Sequence, residues 1–170
     1  MILGVNSEQL IAISSICAVF ISIVSLVFAI ISSFIQMKHN KNSIKPITDI
    51  RVQDYEDLLA VRIENVGTGP LVIKKLRFTR KNNNEEFSSL IELMPIISEP
   101  WATFFEKADG WKIPVGGKID LLELRPLYDD SKTCVRKALS EITVEVEYTD
   151  VYGTVFKDSR ELSFFGRHFL

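Results

Sequence analysis

One uncharged apolar stretch limits what this chain can fold into. Between Glu8 and Lys38 the sequence QLIAISSICAVFISIVSLVFAIISSFIQM contains no charged residue. A helix of about 20 apolar residues is enough to cross the hydrocarbon core of a bilayer. This stretch exceeds that length, so it would span with tilt or with its ends among the headgroups. We therefore predict a transmembrane helix over residues 10–36.

The flanks of this stretch indicate its processing and orientation. A cleaved signal peptide needs a basic N-terminal region and a shorter apolar segment, whereas the first nine residues hold one acid and no base. Lys38, Lys41 and Lys45 follow the stretch, and lysine-rich flanks remain cytoplasmic and attract anionic lipid headgroups. The expected segments are an external tail (1–9), the single-pass inner-membrane helix (10–36), a basic juxtamembrane linker (37–46) and a cytoplasmic domain (47–170).

Small, weakly polar residues recur along the predicted span at spacings of three or four. They are Ser14, Ala18, Ser22, Ser25, Ala29 and Ser33, with Ser32 as an alternative to the last. This spacing places them on one helix face, where the lack of bulk lets a second helix approach. We predict self-association through this face and hence a homo-oligomer. The alternative is that the serines bond carbonyls of their own helix.

The residues after Pro46 alternate between apolar and polar, as half-buried strands do. LLAVRIEN, PLVIKKLRFTRK and EITVEVEYT each keep their apolar residues on one face. About seven short strands with a turn every 8 to 12 residues predict a mainly β domain, an immunoglobulin-like antiparallel β-sandwich with one or two short helices. One helix is expected from Lys132 to Leu139, with Asp130 or Ser131 as N-cap, and EEFSSLIELMPI also has local helix character.

Two segments are interpreted as structural turns. In ENVGTGP the glycines resemble part of a phosphate-binding loop, but such a loop precedes a helix, whereas LVIKKLRF is a predicted strand. Asn65 and Gly67 are expected in such a turn because they tolerate positive φ. Pro70 is expected there because it fixes the entry to the next strand without donating a ladder hydrogen bond. The residues assigned to the two turns are Asn65, Gly67, Gly69 and Pro70 in the first and Asp150 and Gly153 in the second.

The strand after the first turn carries the predicted ligand-binding residues. Lys75, Arg77 and Lys81 fall on one face at period two, and Lys74 and Arg80 add to the local positive potential. Such a basic strip suits phosphates, either of lipid headgroups or of a nucleotide signal. The alternative is a solvated strand face whose lysines discourage edge-to-edge aggregation.

Catalytic and metal-binding patterns are lacking in the sequence. His39 and His168 have no ligand or triad partner at a recognisable spacing. Cys134 has no neighbouring histidine and is expected to be a buried small apolar residue. A catalytic use of Asp150 is the weaker alternative to its turn role. We therefore expect no enzyme, no cofactor and no metal.

The charge of the domain bears on its partners. From Pro46 onward there are 17 Lys and Arg against 21 Asp and Glu. Direct binding of a DNA or RNA duplex requires a basic surface and is not expected. Membrane lipids, a partner protein or a nucleotide second messenger are the expected partners.

The chain also resembles known bacterial proteins. An N-terminal span combined with VRIENVGTGPLVIKKL early in the domain and VEVEYTDVYGTVF near its end resembles small uncharacterised bacterial single-pass membrane proteins with a cytosolic immunoglobulin-like β-sandwich. The resemblance implies the fold and transfers no catalytic residue. In architecture the chain is also similar to membrane-anchored antiviral defence effectors, in which a cytosolic sensor, often for a cyclic nucleotide, triggers membrane damage.

The sequence thus predicts a non-enzymatic inner-membrane protein. Its cytosolic β-sandwich would recognise a partner protein or small signal while its helices self-associate. The alternative is an antiviral defence effector in which a cyclic nucleotide bound by the cytosolic domain triggers membrane disruption.

Overall fold

A computed structural model describes residues 7–81, 83–126 and 128–169, without the side chains of Asn83, Asn84 and His168. Most of the expected tail over residues 1–9, and the side chain of His168, therefore lie outside what is described. Contacts divide the chain into two units, the first ending at Asn42 and the second beginning at Ser43.

The described residues of the first unit lie in a single long helix, α1 (Ser7–Ser43), which has no buried residue. It is long and apolar enough to cross a membrane. It also continues beyond the predicted span into the predicted linker, because MKHNKNS contains neither Pro nor Gly to stop a helix. At about 1.5 Å per residue, α1 is about 55 Å long, which exceeds a hydrocarbon core of about 30 Å.

The second unit is built mainly from strands. Within the described residues the strands are β1 (Thr48–Asp54), β2 (Leu59–Asn65), β3 (Leu71–Arg80), β4 (Asn83–Phe87), β5 (Thr103–Phe104), β6 (Lys112–Ile113), β7 (Lys118–Leu124), β8 (Ile142–Thr149) and β9 (Val155–Glu161). A helix, α2 (Asp129–Ser140), precedes β8, and two short 3₁₀ helices cover Ile91–Leu93 and Ser163–His168.

The strands form two antiparallel sheets that pack face to face. The first sheet has the order β1-β2-β7-β5, and the second has the order β4-β3-β8-β9 with β6 beside the start of β3. An immunoglobulin sandwich pairs strands A-B-E-D in one sheet and C-F-G in the other. With β1, β2 and β3 as A, B and C, the first sheet matches A-B-E-D, and the second matches C-F-G with β4 added as an edge strand beside β3. The predicted fold class is confirmed.

One core lies between the sheets. Val61 and Ile63 of the first sheet belong to the same buried cluster as Phe78 and Val146 of the second, together with Phe165 of the C-terminal 3₁₀ helix. On β3 and β8 of the second sheet most buried positions alternate with more exposed ones, because successive side chains of a strand point to opposite faces, whereas β2 of the first sheet is buried from Leu59 to Ile63. The outward positions are therefore where a binding surface has to be sought.

Three local predictions were wrong. EEF, expected as part of a helix-like segment, lies in β4, because Phe87 pairs with Phe78 of β3 and strand pairing overrides local propensity. The N-cap of α2 is Tyr128, with no side-chain cap bond, rather than Asp130 or Ser131. Cys134 is exposed instead of buried, because α2 turns Val135 and Leu139 toward the core.

Candidate binding face on the second sheet

The outward face of β3 presents the residues predicted to bind a ligand. Leu76 and Phe78 are buried in the core, so Lys75 and Arg77, which alternate with them along the strand, point away from it. A register shift lies between Ile73 and Lys75. The resulting bulge re-aims the strand at this point, and the Leu76 amide donates to Asp109 Oδ1 at 3.1 Å.

Strand pairing places acidic residues beside these bases. Lys75 lies opposite Glu147 of β8, and Arg77 lies opposite Glu145. Beyond β8, Glu147 lies opposite Lys157 of β9. Charges of both signs therefore alternate across the sheet, and the strip is not a purely basic surface.

Ion pairs connect the charges within this face. Arg77 Nε lies 3.4 Å and Lys75 Nζ 3.5 Å from Glu86 of β4. Lys157 Nζ lies 3.1 Å from Glu147. These side chains remain substantially exposed, so each pair contributes little to stability and its members stay available to an incoming partner.

An open groove of about 540 Å³ runs over this face. Its lining is three cations, four carboxylates, Val146 and a hydroxyl. The charged and hydroxyl residues are Lys75, Arg77, Lys157, Glu86, Glu145, Glu147, Asp158 and Ser159. We call this surface the sheet groove.

The structure does not place all five predicted ligand-binding residues on one surface. Lys75 and Arg77 line the sheet groove. Lys81 pairs instead with Glu161 at 3.0 Å, and Arg80 donates to the Leu93 carbonyl at 3.1 Å. Lys74 is exposed at the bulge and is not among the groove-lining residues.

Charged side chains on the outward face of the first sheet also form ion pairs with one another. Arg51 Nε lies 2.7 Å from Asp49, and its Nη1 lies 3.1 Å from Glu64. The hydrogen bond that Arg51 donates to Asp49, and then the charge of Glu64, raise the pKa of Arg51. Arg62 pairs with Asp120 at 2.8 Å, so cations on this face also have acidic neighbours.

The predicted turn after β2 is organised by Asn65. Its side chain is fully buried, and Nδ2 donates to the carbonyls of Gly69, Ile113 and Pro114 at 2.8, 3.1 and 3.3 Å. Its Oδ1 accepts a bond from the Gly67 amide at 3.1 Å. One amide group thus connects two loops of the sandwich.

Close approach, and not positive φ, explains the glycines of this turn. Among the described residues positive φ occurs only at Gly110, Gly116 and Gly153, so the expected reason for Asn65 and Gly67 was wrong. The segment leaving α1 lies directly against the turn. The Thr68 amide donates to the Lys45 carbonyl at 3.0 Å, and the Thr68 hydroxyl donates to the Ser43 carbonyl at 2.6 Å.

The turn between β8 and β9 is organised by Asp150. Its Oδ1 accepts bonds from the amides of Tyr152 and Thr154, both at 2.8 Å, and Gly153 has a φ of 79°. Asp150 is 6% exposed. This geometry is that of a carboxylate that holds its own loop together.

The residues proposed for the membrane are exposed in α1. The Ser14 hydroxyl donates to the Ile11 carbonyl at 2.9 Å and the Ser22 hydroxyl to the Ala18 carbonyl at 2.8 Å, as the alternative interpretation expected. The other residues of the small-residue face, Ser25, Ala29 and Ser33, are exposed as well, as are Lys38 and Lys41. Lys45 lies beyond the helix, with Nζ 5.1 Å from the ring centroid of Phe156.

A buried carboxylate that sequence patterns did not reveal fixes the other end of the domain. The side chain of Asp54 is fully buried and accepts bonds from Arg136 of α2 at 2.6 and 3.0 Å. Arg167 lies 3.2 Å from the same carboxylate. These residues are 82 and 113 positions away in sequence, so no local pattern connects them.

Comparison with known proteins places the chain in one family. A family model described as a domain of unknown function, DUF8453, matches residues 11–165. A search of curated proteins gives no significant match. The family match covers most of α1 and nearly the whole sandwich, so it includes the sheet groove. The chain therefore belongs to the DUF8453 family.

Proposed function

We propose that this protein is a non-enzymatic, single-pass inner-membrane protein whose cytoplasmic β-sandwich recognises a partner protein or small signal through the sheet groove. The observation that carries the proposal is the lining of the groove, in which three cations and four carboxylates lie side by side on the outward face of the sheet. Such a lining suits a protein segment that carries charges of both signs, because complementary charges favour encounter and set the register of binding.

The membrane part of the proposal rests on α1. Its apolar stretch is followed by Lys38 and Lys41, which favour a cytoplasmic C-terminal side and an external N-terminus. Its small-residue face supports self-association, since lipid tails provide no hydrophobic drive and close packing has to replace it. Fusion of a fluorescent protein after residue 170 should give fluorescence, and fusion of alkaline phosphatase there should give no activity. The reverse result would overturn this orientation.

Photo-crosslinking in cells tests the groove. A benzophenone amino acid replacing Ser159 should form a discrete adduct, because Ser159 is exposed within the groove. The adduct should disappear when Lys75→Glu and Arg77→Glu reverse the two cations of β3. The same crosslinker at exposed Tyr128, outside the groove, is the matched control. Identical adducts at both positions, or an adduct insensitive to charge reversal, would contradict the proposal.

A second candidate function is that of an antiviral defence effector triggered by a cyclic nucleotide. The observation that favours it is the convergence of Lys75, Arg77 and Lys157 on one groove, since cations bind phosphates by charge-assisted hydrogen bonds. The four carboxylates of the same lining oppose it. Calorimetric titration of the full chain in detergent with cyclic oligonucleotides should show binding if this candidate is correct. Absence of binding, with unchanged membrane potential in cells that make such nucleotides, would exclude it.

A further inference from the structure

Four segments meet at the end of the sandwich where the chain arrives from α1. They are residues 44–47, 66–70, 112–118 and 150–155, which we call the proximal end. The Val66 amide donates to the Ile47 carbonyl and the Gly116 amide to the Asn65 carbonyl, both at 2.9 Å. Val72, at the start of β3, pairs with Thr149, just before the fourth segment. The proximal end is therefore one continuous surface.

Apolar side chains are exposed on each of these segments. About half of the surface of each is accessible, between 48 and 56%. They are Ile47, Val66, Val115, Val151, Tyr152 and Val155. Apolar side chains exposed together mark an interaction site, and tyrosine is enriched where a protein meets lipid headgroups.

The charge of the proximal end is opposite to that of the rest of the domain. It contains Lys45, Lys112 and Lys118, all exposed, and one acid, Asp150, which is buried and bonded to its own loop. Residues 43–170 hold 18 Lys and Arg and 21 Asp and Glu, so removing these four leaves 15 basic against 20 acidic residues. A basic end on an acidic domain favours an anionic surface.

The chain itself limits how far this end can lie from the bilayer. Thr68 fixes the backbone at Ser43 and Lys45 by bonds of 2.6 and 3.0 Å. The uncharged stretch ends at Met37, and the six helical residues from there to Ser43 span about 9 Å. The headgroup layer of one leaflet is about 5–8 Å thick. The proximal end is thus tethered within reach of the headgroups.

Exposed apolar residues alone do not distinguish the proximal end from the opposite end of the sandwich. Tyr55 and Tyr128 are also exposed, at 59 and 66%, on loops at the other end of the strands. There, however, Tyr55 is followed by Glu56 and Asp57, and Tyr128 by Asp129 and Asp130. Acidic loops are repelled by anionic lipids. The proximal end is distinguished by the combination of exposed apolar side chains, lysines and a short connection to α1.

We propose that the proximal end docks on the anionic headgroup layer of the bilayer that α1 crosses. The inference rests on the proposed function only in taking α1 as a membrane span. The exposed apolar side chains of the proximal end would enter the membrane–water interface. Lys45, Lys112 and Lys118 would contact lipid phosphates.

Environment-sensitive labels on the full chain in vesicles of phosphatidylcholine and phosphatidylglycerol test the docking. With both native cysteines replaced by serine, a nitrobenzoxadiazole label on Val66→Cys or Val115→Cys should show blue-shifted emission and strong quenching by lipids that carry a nitroxide near the headgroup. The same label on Tyr128→Cys, a site that is 66% exposed and lies away from the proximal end, should report an aqueous environment. Labels at positions 66 and 115 that behave like the label at position 128 would overturn the proposal.

Two further measurements separate the causes of a negative result. Lys112→Glu with Lys118→Glu should reduce quenching at Val66, whereas Lys107→Glu with Lys137→Glu, which reverses two exposed lysines elsewhere, should leave it unchanged. Equal effects would contradict a role of the proximal charges. A label on native Cys17, which lies within the predicted span of α1, in a Cys134→Ser chain shows whether α1 is in the membrane. If the Cys17 label reports lipid while the labels at positions 66 and 115 report water, the docking alone is overturned. If the Cys17 label reports water, both the docking and the membrane-spanning role of α1 are overturned.

Discussion

A Cβ atom added to Gly69 would lie 2.0 Å from the carbonyl oxygen of Ile44. At Gly67 the corresponding distance is 2.3 Å, to the backbone amide nitrogen of Ile47. Real Cβ atoms do not approach backbone atoms so closely, so the two glycines form the surface against which the chain leaving α1 is laid. A turn that joins two strands thereby also holds the segment that follows the helix.

Alanine or asparagine at Gly67 or Gly69 should destabilise the domain by about 1–3 kcal/mol, the range for extra atoms forced into a packed site. Because the clash begins at Cβ, asparagine should be no better tolerated than alanine. The measurement is thermal or urea unfolding of the full chain in detergent.

Gly153→Asn is the matched control for this prediction. Gly153 has a φ of 79°, and a Cβ atom added there would have no neighbour within 4 Å. Asparagine tolerates this conformation better than most residues. It should therefore be nearly neutral there, and clearly less harmful than at Gly67. Equal tolerance of asparagine at Gly67 and Gly153 would show that the close approach of residues 44–47 does not require glycine at position 67.

Asn65→Ala should lower the free energy of unfolding by about 1–3 kcal/mol, because it removes the donor for three carbonyls in a fully buried site. Asn42→Ala, an exposed change near the end of α1, is the comparison and should have little effect. Urea unfolding of both variants measures the difference. A loss at Asn65 no larger than at Asn42 would mean that the loops are held by other contacts.

The features that the sequence predicted correctly are those set by local periodicity. The uncharged stretch predicts α1, and the two-residue alternation in LLAVRIEN and EITVEVEYT predicts β2 and β8, because a buried face imposes its period on each element. The turn signals at Asn65 and Asp150 lie where the structure has turns. The two-sheet arrangement follows from many short strands with frequent turns.

The features that the sequence did not predict depend on pairing between distant segments. Lys75 and Arg77 read as a basic strip because their neighbours Glu145 and Glu147 are about 70 residues away in sequence and become adjacent only when β3 pairs with β8. The buried pair of Asp54 with Arg136 has the same origin. The role of Gly67 and Gly69 also escaped sequence reasoning, since it requires the position of residues 44–47.

Asp54→Asn should destabilise the domain by about 3–5 kcal/mol, because it leaves buried Arg136 without its charged partner. The carboxylate is fully buried and the Arg136 side chain is 16% exposed. Guanidinium unfolding followed by circular dichroism measures the loss.

Asp49→Asn provides the matched surface control. Asp49 also pairs with an arginine, Arg51, but the two side chains are 36 and 50% exposed, and such surface pairs contribute about 0–1 kcal/mol. A similar loss in the free energy of unfolding for both variants would show that burial does not make the Asp54 pair more stabilising than a surface pair.

Self-association of α1 should depend on the size of the side chains on its small-residue face. The Ser14 and Ser22 hydroxyls already bond to carbonyls of their own helix, so close packing, and not interhelical hydrogen bonding, should carry the association at these positions. Ser22→Ala should therefore leave association intact. Ala18→Leu with Ser22→Leu should weaken it by on the order of tenfold, which corresponds to about 1.4 kcal/mol.

Energy transfer between labelled full-length chains in vesicles, measured at several protein-to-lipid ratios, gives the association constant for each variant. Val27→Phe adds bulk on the opposite side of the helix, since Val27 lies five residues from Ser22 and nine from Ala18, and it should leave energy transfer unchanged. A fall in transfer with Ser22→Ala would assign the interface to serine hydroxyls. Equal falls with Val27→Phe and Ala18→Leu would show that the chains do not associate through this face, because packing at one helix face cannot depend on bulk added to the opposite one.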